Sequence, residues 1–447
     1  MSGALVRRAA ADLLFLTLEK RRTLDQAMAE SPPFNDLDGP DRGFARAIAS
    51  AALRELGRID MALAPLLSRP LQAASPAIRA LLRVGAVQLW RMDVPEHAAV
   101  SETVEAAKDW PDARSGGAFL NAVLRRAAAE RPDLDALPLT AIWPDWLAAA
   151  FEESVGADGA AALAAAQLGE PGIYLTAKTS AAAVAEVTGG ELLGNGSVRA
   201  PGGPVETLAE YGSGVWWVQD PAAALPAKLL MACPSDSPPK SGMIMDKSDM
   251  VMGKSSEVTA IDLCAAPGGK TLQLCAAGLN VVAVDRSKPR LKRLEENLAR
   301  TGLSAEIIAA DAETWRPETP ADLLLLDAPC SALGTLRRHP EGAWIKRPDD
   351  IARFPDVQYR LLKAATEMVR PGGTILYCVC TPLKAEGADV VDRAIADGFV
   401  TRLPVKPEEA PGFETCITEK GDLVTLPATN SEHDAFFMSR LTPATLR

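Results

Sequence analysis

The chain has 447 residues, of which 48% are hydrophobic and 23% are charged. At about 100 to 200 residues per domain this length predicts two to four domains, and the composition excludes a fibrous or generally disordered chain. The formal net charge of -11 argues against nucleic-acid binding over the whole surface, because such binding needs many Lys and Arg contacts with phosphates. A nucleic-acid site would therefore have to be local.

The amino-terminal apolar run predicts a helix rather than an export signal, because Asp12 interrupts it and no small-residue cleavage site follows. No stretch of the sequence approaches the apolar length that spans a bilayer. The seven cysteines have neither disulfide-framework nor zinc-ligand spacing, as expected in a reducing compartment. We expect a cytoplasmic protein without membrane or metal partners. The oligomeric state stays open, with a monomer as the simplest case.

Residues 1–132 are predicted to form an all-α bundle of roughly five or six helices, with breaks at Pro32 and Pro33, Pro70, Pro95 and Pro111. Helical spacing of apolar residues predicts two faces, Ile78, Leu81, Leu82, Gly85 and Leu89 on one helix and Phe119, Leu120, Val123 and Leu124 on another. The segment at 118–126, Ala-Phe-Leu-Asn-Ala-Val-Leu-Arg-Arg, resembles the last helix of NusB-like bundles. That resemblance implies an RNA-binding domain.

Two further domains are predicted after the bundle. Residues 133–220 combine a helix at 146–166, a strand candidate at 172–176 and turns, which indicates a small α/β connector. Residues 221–447 are predicted to form the last domain. Near its start, the segment at about 233–256 is rich in Ser, Pro, Lys and Met, which predicts a flexible insertion.

Beyond that insertion, apolar runs alternate with helical patterns. Strands are predicted at 258–263, 281–284, 305–309, 323–326 and 374–379, with helices near 269–277, 288–301 and 356–369. Continuous apolar strands separated by helices indicate a Rossmann-like α/β domain with a mostly parallel sheet that is covered on both faces. Ligands of such sheets bind at the carboxyl ends of the strands.

A small-residue loop follows the first of these strands directly and begins a helix; its residues are Cys264, Ala265, Ala266, Pro267, Gly268, Gly269 and Lys270. Small residues let the backbone approach a ligand closely, and a helix start offers unpaired N–H groups. The next strand ends at Asp285, where nucleoside-binding folds place the carboxylate that accepts ribose hydroxyls. A nicotinamide dinucleotide stays a competing ligand, although the Gly-x-Gly-x-x-Gly spacing is absent.

Further acids and two cysteines follow the later strands. Asp311 follows the third strand and, although it could be a simple turn residue, is expected to line the same crevice. Asp327 ends the fourth strand, and Cys330 and Cys380 would face each other across the crevice. Such cysteines can be inert core residues, but their placement at strand ends favours chemistry. A thiolate there could attack ring carbon 6 of a pyrimidine and make carbon 5 nucleophilic. Asp327, if protonated or hydrogen-bonded to the base, could offset the charge that develops on the ring.

Two basic clusters, at 288–293 and 337–339, are candidates for local contacts with phosphates. Each could instead be a solvated helix face or loop.

Five segments taken together resemble the RNA cytosine-5 methyltransferases of the Nop2/Sun group: residues 262–271, 327–331, 337–340, 371–373 and 436–438. The resemblance covers nearly the whole chain. It implies S-adenosylmethionine as the methyl donor and RNA as the partner, and the NusB-like bundle narrows the expected target to small-subunit 16S ribosomal RNA.

The resemblance also implies roles for single residues. The 264–270 loop, Asp285, Asp311 and Asp327 would contact the cofactor or its surroundings. Cys380 would be the nucleophile and Cys330 would help to release the methylated base, which makes Asp327, Cys330 and Cys380 the catalytic candidates. Cys378 takes a position that a small residue usually holds.

The chain departs from the family pattern at several positions. Val379 and Thr381 replace the usual Thr and Ser, Gly387 stands where Asn is common, and residues 174–178 lack the usual Arg-Val-Asn. These changes leave both cysteines and the acids in place. Three alternatives remain: a noncatalytic RNA-binding or ribosome-assembly factor, a methyltransferase acting on tRNA or another RNA, and a DNA cytosine methyltransferase, which would use the Pro-Cys cysteine alone.

Overall fold

The computed structural model describes residues 3–232, 258–427 and 433–444. The chain divides into two compact units, Met1–Glu170 with Thr335–Pro348 and Pro171–Gly334 with Asp349–Arg447. The domain boundaries at 132 and 220 stay a prediction, and the predicted insertion at 233–256 lies outside the described residues.

The helices and strands of the described residues are numbered here in chain order. The α-helices are α1 (Gly3–Lys20), α2 (Leu24–Glu30), α3 (Pro32–Asn35), α4 (Gly39–Arg54), α5 (Leu56–Leu63), α6 (Pro76–Trp90), α7 (Glu96–Ala106), α8 (Gly117–Glu130), α9 (Asp145–Leu168), α10 (Ala181–Thr188), α11 (Leu225–Met231), α12 (Gly269–Ala276), α13 (Lys288–Thr301), α14 (Gly342–Ile345), α15 (Pro348–Ile351), α16 (Phe354–Thr366) and α17 (Ala388–Ala396). The strands are β1 (Tyr174–Ala177), β2 (Glu191–Leu192), β3 (Val198–Arg199), β4 (Trp216–Val218), β5 (Thr259–Leu263), β6 (Asn280–Asp285), β7 (Glu306–Ala309), β8 (Ala321–Asp327), β9 (Val369–Val379), β10 (Val400–Arg402), β11 (Leu423–Thr425) and β12 (Phe436–Pro443).

The first unit is the predicted helical bundle, but it contains more helices than the sequence suggested. Between residues 3 and 130 the structure has eight α-helices, α1 to α8, rather than five or six. The prediction was wrong because Pro32 and Pro33 begin α3 instead of only breaking the chain, and because α4 and α5 are divided at Glu55 without a proline. Proline is tolerated in the first helical turn, since the N–H that it lacks has no partner there.

The predicted apolar faces of α6 and α8 pack into one core. Ile78 and Leu81 on α6, and Leu120 and Leu124 on α8, are buried. A Cβ atom at Gly85 would lie 2.5 Å from Leu124 Cδ2, so this glycine permits the close approach of the two helices. Phe119 is 41% exposed, in contrast to its predicted companions.

The segment Thr335–Pro348 folds with the bundle, although it lies far from it in sequence. The Arg54 guanidinium donates to the main-chain oxygen of Arg337 at 2.8 Å, and the Glu341 carboxylate accepts a hydrogen bond from Leu24 N at 3.2 Å. Arg337 is only 5% exposed. Of the basic cluster predicted at 337–339, Arg337 therefore has little surface to offer a phosphate.

The second unit contains two sheets. The smaller sheet has four antiparallel strands in the order β2-β3-β1-β4. Its strand β1 overlaps the strand predicted at 172–176. The larger sheet has the order β10-β12-β9-β8-β5-β6-β7, with β11 paired to β12. Strands β5 to β9 are parallel to their neighbours within this set, and β10, β11 and β12 pair antiparallel.

The large sheet is buried on both faces, as the continuous apolar strands predicted. Ile261 and Leu324 face a core shared with α16 and α17, whereas Ala260 and Leu325 face a core shared with α11 and α12. This confirms the Rossmann-like fold with a mostly parallel sheet. Among the described residues, no helix combines the length and the apolar composition needed to cross a membrane.

Asp262 is a fully buried acid within β5. Its Oδ2 accepts a hydrogen bond from Thr271 Oγ1 at 2.6 Å. Burial raises the pKa of this carboxyl from 3.8 to about 7, although the Thr271 hydrogen bond and the Lys270 charge oppose the shift. The folded state therefore keeps a proton that the unfolded chain releases, and the free energy of unfolding falls as the pH rises from about 4 to about 7.

We predict that Asp262→Asn removes this pH dependence. Asn stays neutral and can still accept the Thr271 hydrogen bond, so each pH unit between about 4 and 7 should favour the variant over the wild type by about 1.4 kcal/mol. Urea denaturation across this pH range measures the difference.

The matched control is Asp322→Asn on β8. Burial opposes ionisation of Asp322, but hydrogen bonds from Thr259 and Arg370 outweigh it and lower the pKa of Asp322. Asp322 therefore titrates below the pH range of about 4 to 7. The difference in the free energy of unfolding between Asp322→Asn and the wild type should not change with pH across this range. Parallel pH profiles for Asp262→Asn and the wild type would contradict the prediction.

Candidate functional site

Parallel pairing brings the predicted site residues of the second unit to one edge of the large sheet. The register sets Asp285 on β6 opposite Ala309 on β7, and Asp327 on β8 opposite Cys378 on β9. Because the carboxyl ends of parallel strands meet at the same edge, the loops that follow them emerge together. The structure therefore places the 264–270 loop beside the acids and cysteines that the sequence singled out.

Asp285 braces the loop that follows β5. Its side chain is nearly fully buried, its Oδ2 accepts a hydrogen bond from Ala266 N at 3.2 Å, and its Oδ1 accepts one from Ser287 N at 2.8 Å. The Arg290 guanidinium lies 3.4 Å from Asp285 Oδ2 and donates to the main-chain oxygen of Ala266. In this arrangement Asp285 holds the loop in shape at the position predicted for a ribose-binding acid.

The loop itself requires small residues. Gly268 has φ +109°, and a Cβ atom there would lie 2.3 Å from Leu294 Cδ1. Cys264 also adopts a positive φ of 62°. Burial, reinforced by nearby acids, raises the pKa of the Cys264 thiol to about 12, so it remains a neutral lining group. This backbone can approach a ligand closely at the start of α12.

Asp311 lies in the turn after β7 and is exposed. Its Oδ1 accepts a hydrogen bond from Glu313 N at 2.9 Å. The structure thus gives this acid a turn-forming role at the position predicted for cofactor contact. Three groups lie at this edge: the glycine-rich start of α12, Asp285 at the end of β6 and Asp311 after β7. Together they fit the amino-acid and nucleoside parts of S-adenosylmethionine.

Lys270 extends from the cofactor loop to the acid of the neighbouring strand. Its Nζ lies 2.8 Å from Asp327 Oδ2 and 5.6 Å from the centre of the Phe436 ring. Burial alone lowers the pKa of Lys270, but the Asp327 carboxylate outweighs it and the pKa lies above its ordinary value. A permanently charged ammonium group therefore stands next to Asp327.

The two predicted cysteines are in contact. Cys330 Sγ and Cys380 Sγ lie 3.3 Å apart, and both residues are partly exposed. The hydrogen bond with Cys380, together with burial, raises the pKa of the Cys330 thiol well above its ordinary value. Either sulfur can be the donor in this contact.

Cys378 differs from this pair. It is fully buried within β9, its Sγ lies 3.5 Å from Asp327 Oδ1, and burial raises the pKa of its thiol well above the ordinary value. In the part of the chain that the structure describes, no group of three or more His, Cys, Asp or Glu side chains could hold a metal ion.

Two buried polar residues beside the cysteines, Gln358 and Glu386, were not predicted from the sequence. Both have no exposed surface. Gln358 shares the buried face of α16 with Leu361 and Leu362, so a polar residue at an apolar helical position was the available signal. Glu386 lies within the loop that follows Cys380, and nothing in its spacing marks it as buried.

The basic cluster at 288–293 lies on α13. Arg290 contacts the cofactor loop, whereas Lys288, Lys292 and Arg293 are exposed. Most of this cluster therefore lies on a solvated helix face, which is the alternative that the sequence also allowed.

Comparison with known proteins identifies the family to which the chain belongs. Residues 250–442 match the family model described as 16S rRNA methyltransferase RsmB/F, and residues 5–129 match that of the NusB family. The chain is 33% identical to ribosomal RNA small subunit methyltransferase B of Pseudomonas putida, over 97% of this chain and 98% of the relative.

Two solved structures share the fold. The protein PH0851 is similar over 98% of both chains, with a TM-score of 0.72 and 22% identity. NSun6 from Pyrococcus horikoshii, solved with SFG, is similar over 68% of this chain and 99% of that chain, with a TM-score of 0.53 and 18% identity. The near full-length relative, together with the family model, shows that the chain belongs to the RsmB/F family and is an S-adenosylmethionine-dependent methyltransferase.

Proposed function

We propose that this chain methylates carbon 5 of a cytosine in small-subunit 16S ribosomal RNA through a covalent adduct with Cys380. The observation that carries the proposal is the 3.3 Å contact between Cys330 Sγ and Cys380 Sγ, at the sheet edge that also holds the Lys270–Asp327 ion pair. A noncatalytic assembly factor would have no need for this combination.

In the first step the Cys380 thiolate attacks carbon 6 of the ring. A sulfur–carbon bond forms, and the electron pair of the ring double bond becomes available at carbon 5. Bound S-adenosylmethionine supplies an electrophilic methyl group. Cys330 Sγ lies 3.3 Å from the attacking sulfur and can donate a hydrogen bond to it.

The Lys270–Asp327 pair can stabilise the charge that develops on the ring during this attack. Its two groups lie 2.8 Å apart in a largely buried setting, where oriented charges act more strongly than in water. A carboxylate in this place can accept a hydrogen bond from the exocyclic amine of cytosine, while the ammonium group offsets negative charge.

Release requires that carbon 5 loses its proton and that the bond from Cys380 to carbon 6 breaks. Once Cys380 has become a thioether, the hydrogen bond that raised the pKa of Cys330 is lost, and the Cys330 thiol can pass its proton to water. The resulting Cys330 thiolate accepts the carbon 5 proton. The electrons of that C–H bond restore the ring double bond, and Cys380 leaves as a thiolate.

The RNA target is supported by the two family matches. The amino-terminal residues 5–129 match the NusB family, and the Pseudomonas putida relative carries the name of a small-subunit ribosomal RNA methyltransferase. A bundle that grips folded RNA would hold the substrate while the target cytosine is flipped into the pocket, as base-modifying enzymes require.

We predict that Cys380→Ala lowers methyl transfer to ribosomal RNA by about three orders of magnitude or more, because the covalent nucleophile is lost. Transfer of labelled methyl groups from S-adenosylmethionine measures this change. Cys416→Ala removes a cysteine outside the site and serves as the control. Unchanged transfer by Cys380→Ala would refute the assignment of the nucleophile.

Cys330→Ala is predicted to accumulate the protein–RNA adduct, because attack remains possible while release is impaired. The adduct appears as a band of reduced mobility on a denaturing gel, and the band should vanish in the double variant Cys330→Ala/Cys380→Ala. Absence of a shifted band with Cys330→Ala would count against the two-cysteine mechanism.

Bisulfite sequencing of RNA from cells with and without this gene identifies the target. We expect one cytosine of small-subunit ribosomal RNA to lose its protection from conversion when the gene is absent. Re-expression of the wild type, but not of Cys380→Ala, should restore it. A ribosomal pattern that stays the same, with a change in tRNA instead, would redirect the proposal to that RNA.

A further inference from the structure

Glu386 binds the main chain directly after Cys330. It ends the short helical turn Lys384–Glu386 and has no exposed surface. Its Oε2 accepts a hydrogen bond from Ser331 N at 2.8 Å and another from Gln358 Nε2 at 3.1 Å. A buried acid is costly unless its oxygens have donors, so these two contacts fix where the side chain can lie.

Gln358 binds the main chain directly before Cys330. It is fully buried on α16, and its Nε2 also donates to the main-chain oxygen of Pro329 at 2.9 Å. The two amide hydrogens are thus used on Pro329 and Glu386. Together Gln358 and Glu386 form a clamp that holds the peptide groups on both sides of Cys330.

The clamp is itself tied to the strand that carries the other cysteine. The Tyr377 hydroxyl, on β9 three residues before Cys380, donates to the main-chain oxygen of Glu386. Ser331 Oγ lies 3.2 Å from Thr381 Oγ1, directly after Cys380. One set of hydrogen bonds therefore spans both cysteine loops.

The loop that is held in this way has an unfavourable backbone conformation. Ala332, two residues after Cys330, has φ 53°, in the left-handed region that non-glycine residues rarely adopt. Such conformations persist only where surrounding contacts hold them. Without the clamp, the loop would relax and the Cys330 sulfur would move relative to Cys380.

We propose that Gln358 and Glu386 are positioning residues that keep Cys330 in place for release of the methylated base. The proposal rests on the two-cysteine mechanism given above and adds the groups that make the release step possible. Neither side chain needs to touch the RNA, because both act through the Pro329 and Ser331 peptide groups. Displacement of a reacting group by about 1 Å can cost about 100-fold in rate.

The main test uses Gln358→Met and Glu386→Met, which keep side-chain length and remove the clamp hydrogen bonds. Both should accumulate the protein–RNA adduct on denaturing gels, with turnover lowered by about 10- to 100-fold. Glu386→Gln retains an acceptor oxygen of the same reach and should restore adduct release to near the wild-type rate. Binding of S-adenosylmethionine, measured by calorimetry, shows whether each variant is folded.

The same substitutions in a Cys330→Ala background separate positioning from general damage. If the clamp acts through Cys330, Gln358→Met should add little to the effect of Cys330→Ala, because the step is already lost. Gln88→Met is the matched control, since Gln88 is a fully buried glutamine of the bundle. It should not trap the adduct.

The outcomes distinguish the two proposals. If Cys330→Ala traps no adduct, the two-cysteine mechanism fails. If Cys330→Ala traps it while Gln358→Met and Glu386→Met bind S-adenosylmethionine but trap none, the clamp proposal alone is overturned. Additive losses in the double variants would overturn it equally. If both Met variants fail to bind S-adenosylmethionine, Glu386→Leu and Gln358→Leu provide the same readout with smaller side chains.

Discussion

The parallel pairing of β8 with β9 is the constraint on which the site depends. It sets Asp327 opposite Cys378, so the loops that carry Cys330 and Cys380 leave the sheet side by side. The side chains of a strand alternate between its faces, and a shift of one residue would turn Cys378 and Asp327 away from each other. The register brings the two loops together, and the 3.3 Å contact between the two sulfur atoms depends in addition on the hydrogen bonds that hold the Cys330 loop.

A partly buried cation, Lys270, joins the cofactor side of this edge to its acceptor side. Lys270 belongs by sequence to the loop after β5, where the sequence analysis placed it among cofactor contacts, but its ammonium group lies against Asp327 on β8. Removing a charge from water is costly unless an opposite charge is close. The ion pair therefore connects the start of α12, beside the cofactor loop, to the acid at the end of β8.

The sequence predicted the sheet well because its strands are continuous apolar runs. The acids and cysteines that it singled out lie close together because they stand where those runs end, while their roles stay a prediction. It failed where structure depends on distant contacts. Nothing local indicates that the residues around Arg337 pack with the bundle, since Arg54 lies 283 positions away in sequence. Gln358 and Glu386 were missed for a related reason, because their partners are main-chain groups of another loop.

The polar residues buried in this unit are placed by one physical rule. Asp262, Gln358 and Glu386 each lose hydration on folding, and each recovers part of that loss by binding a segment next to a reactive group. Asp262 binds Thr271 at the start of α12, and the other two bind the peptide groups that flank Cys330. An apolar residue in any of these places would still fill the core, but it would lose the hydrogen bond to the neighbouring segment. These buried polar residues therefore connect the apolar core of the sheet to the loops at its edge.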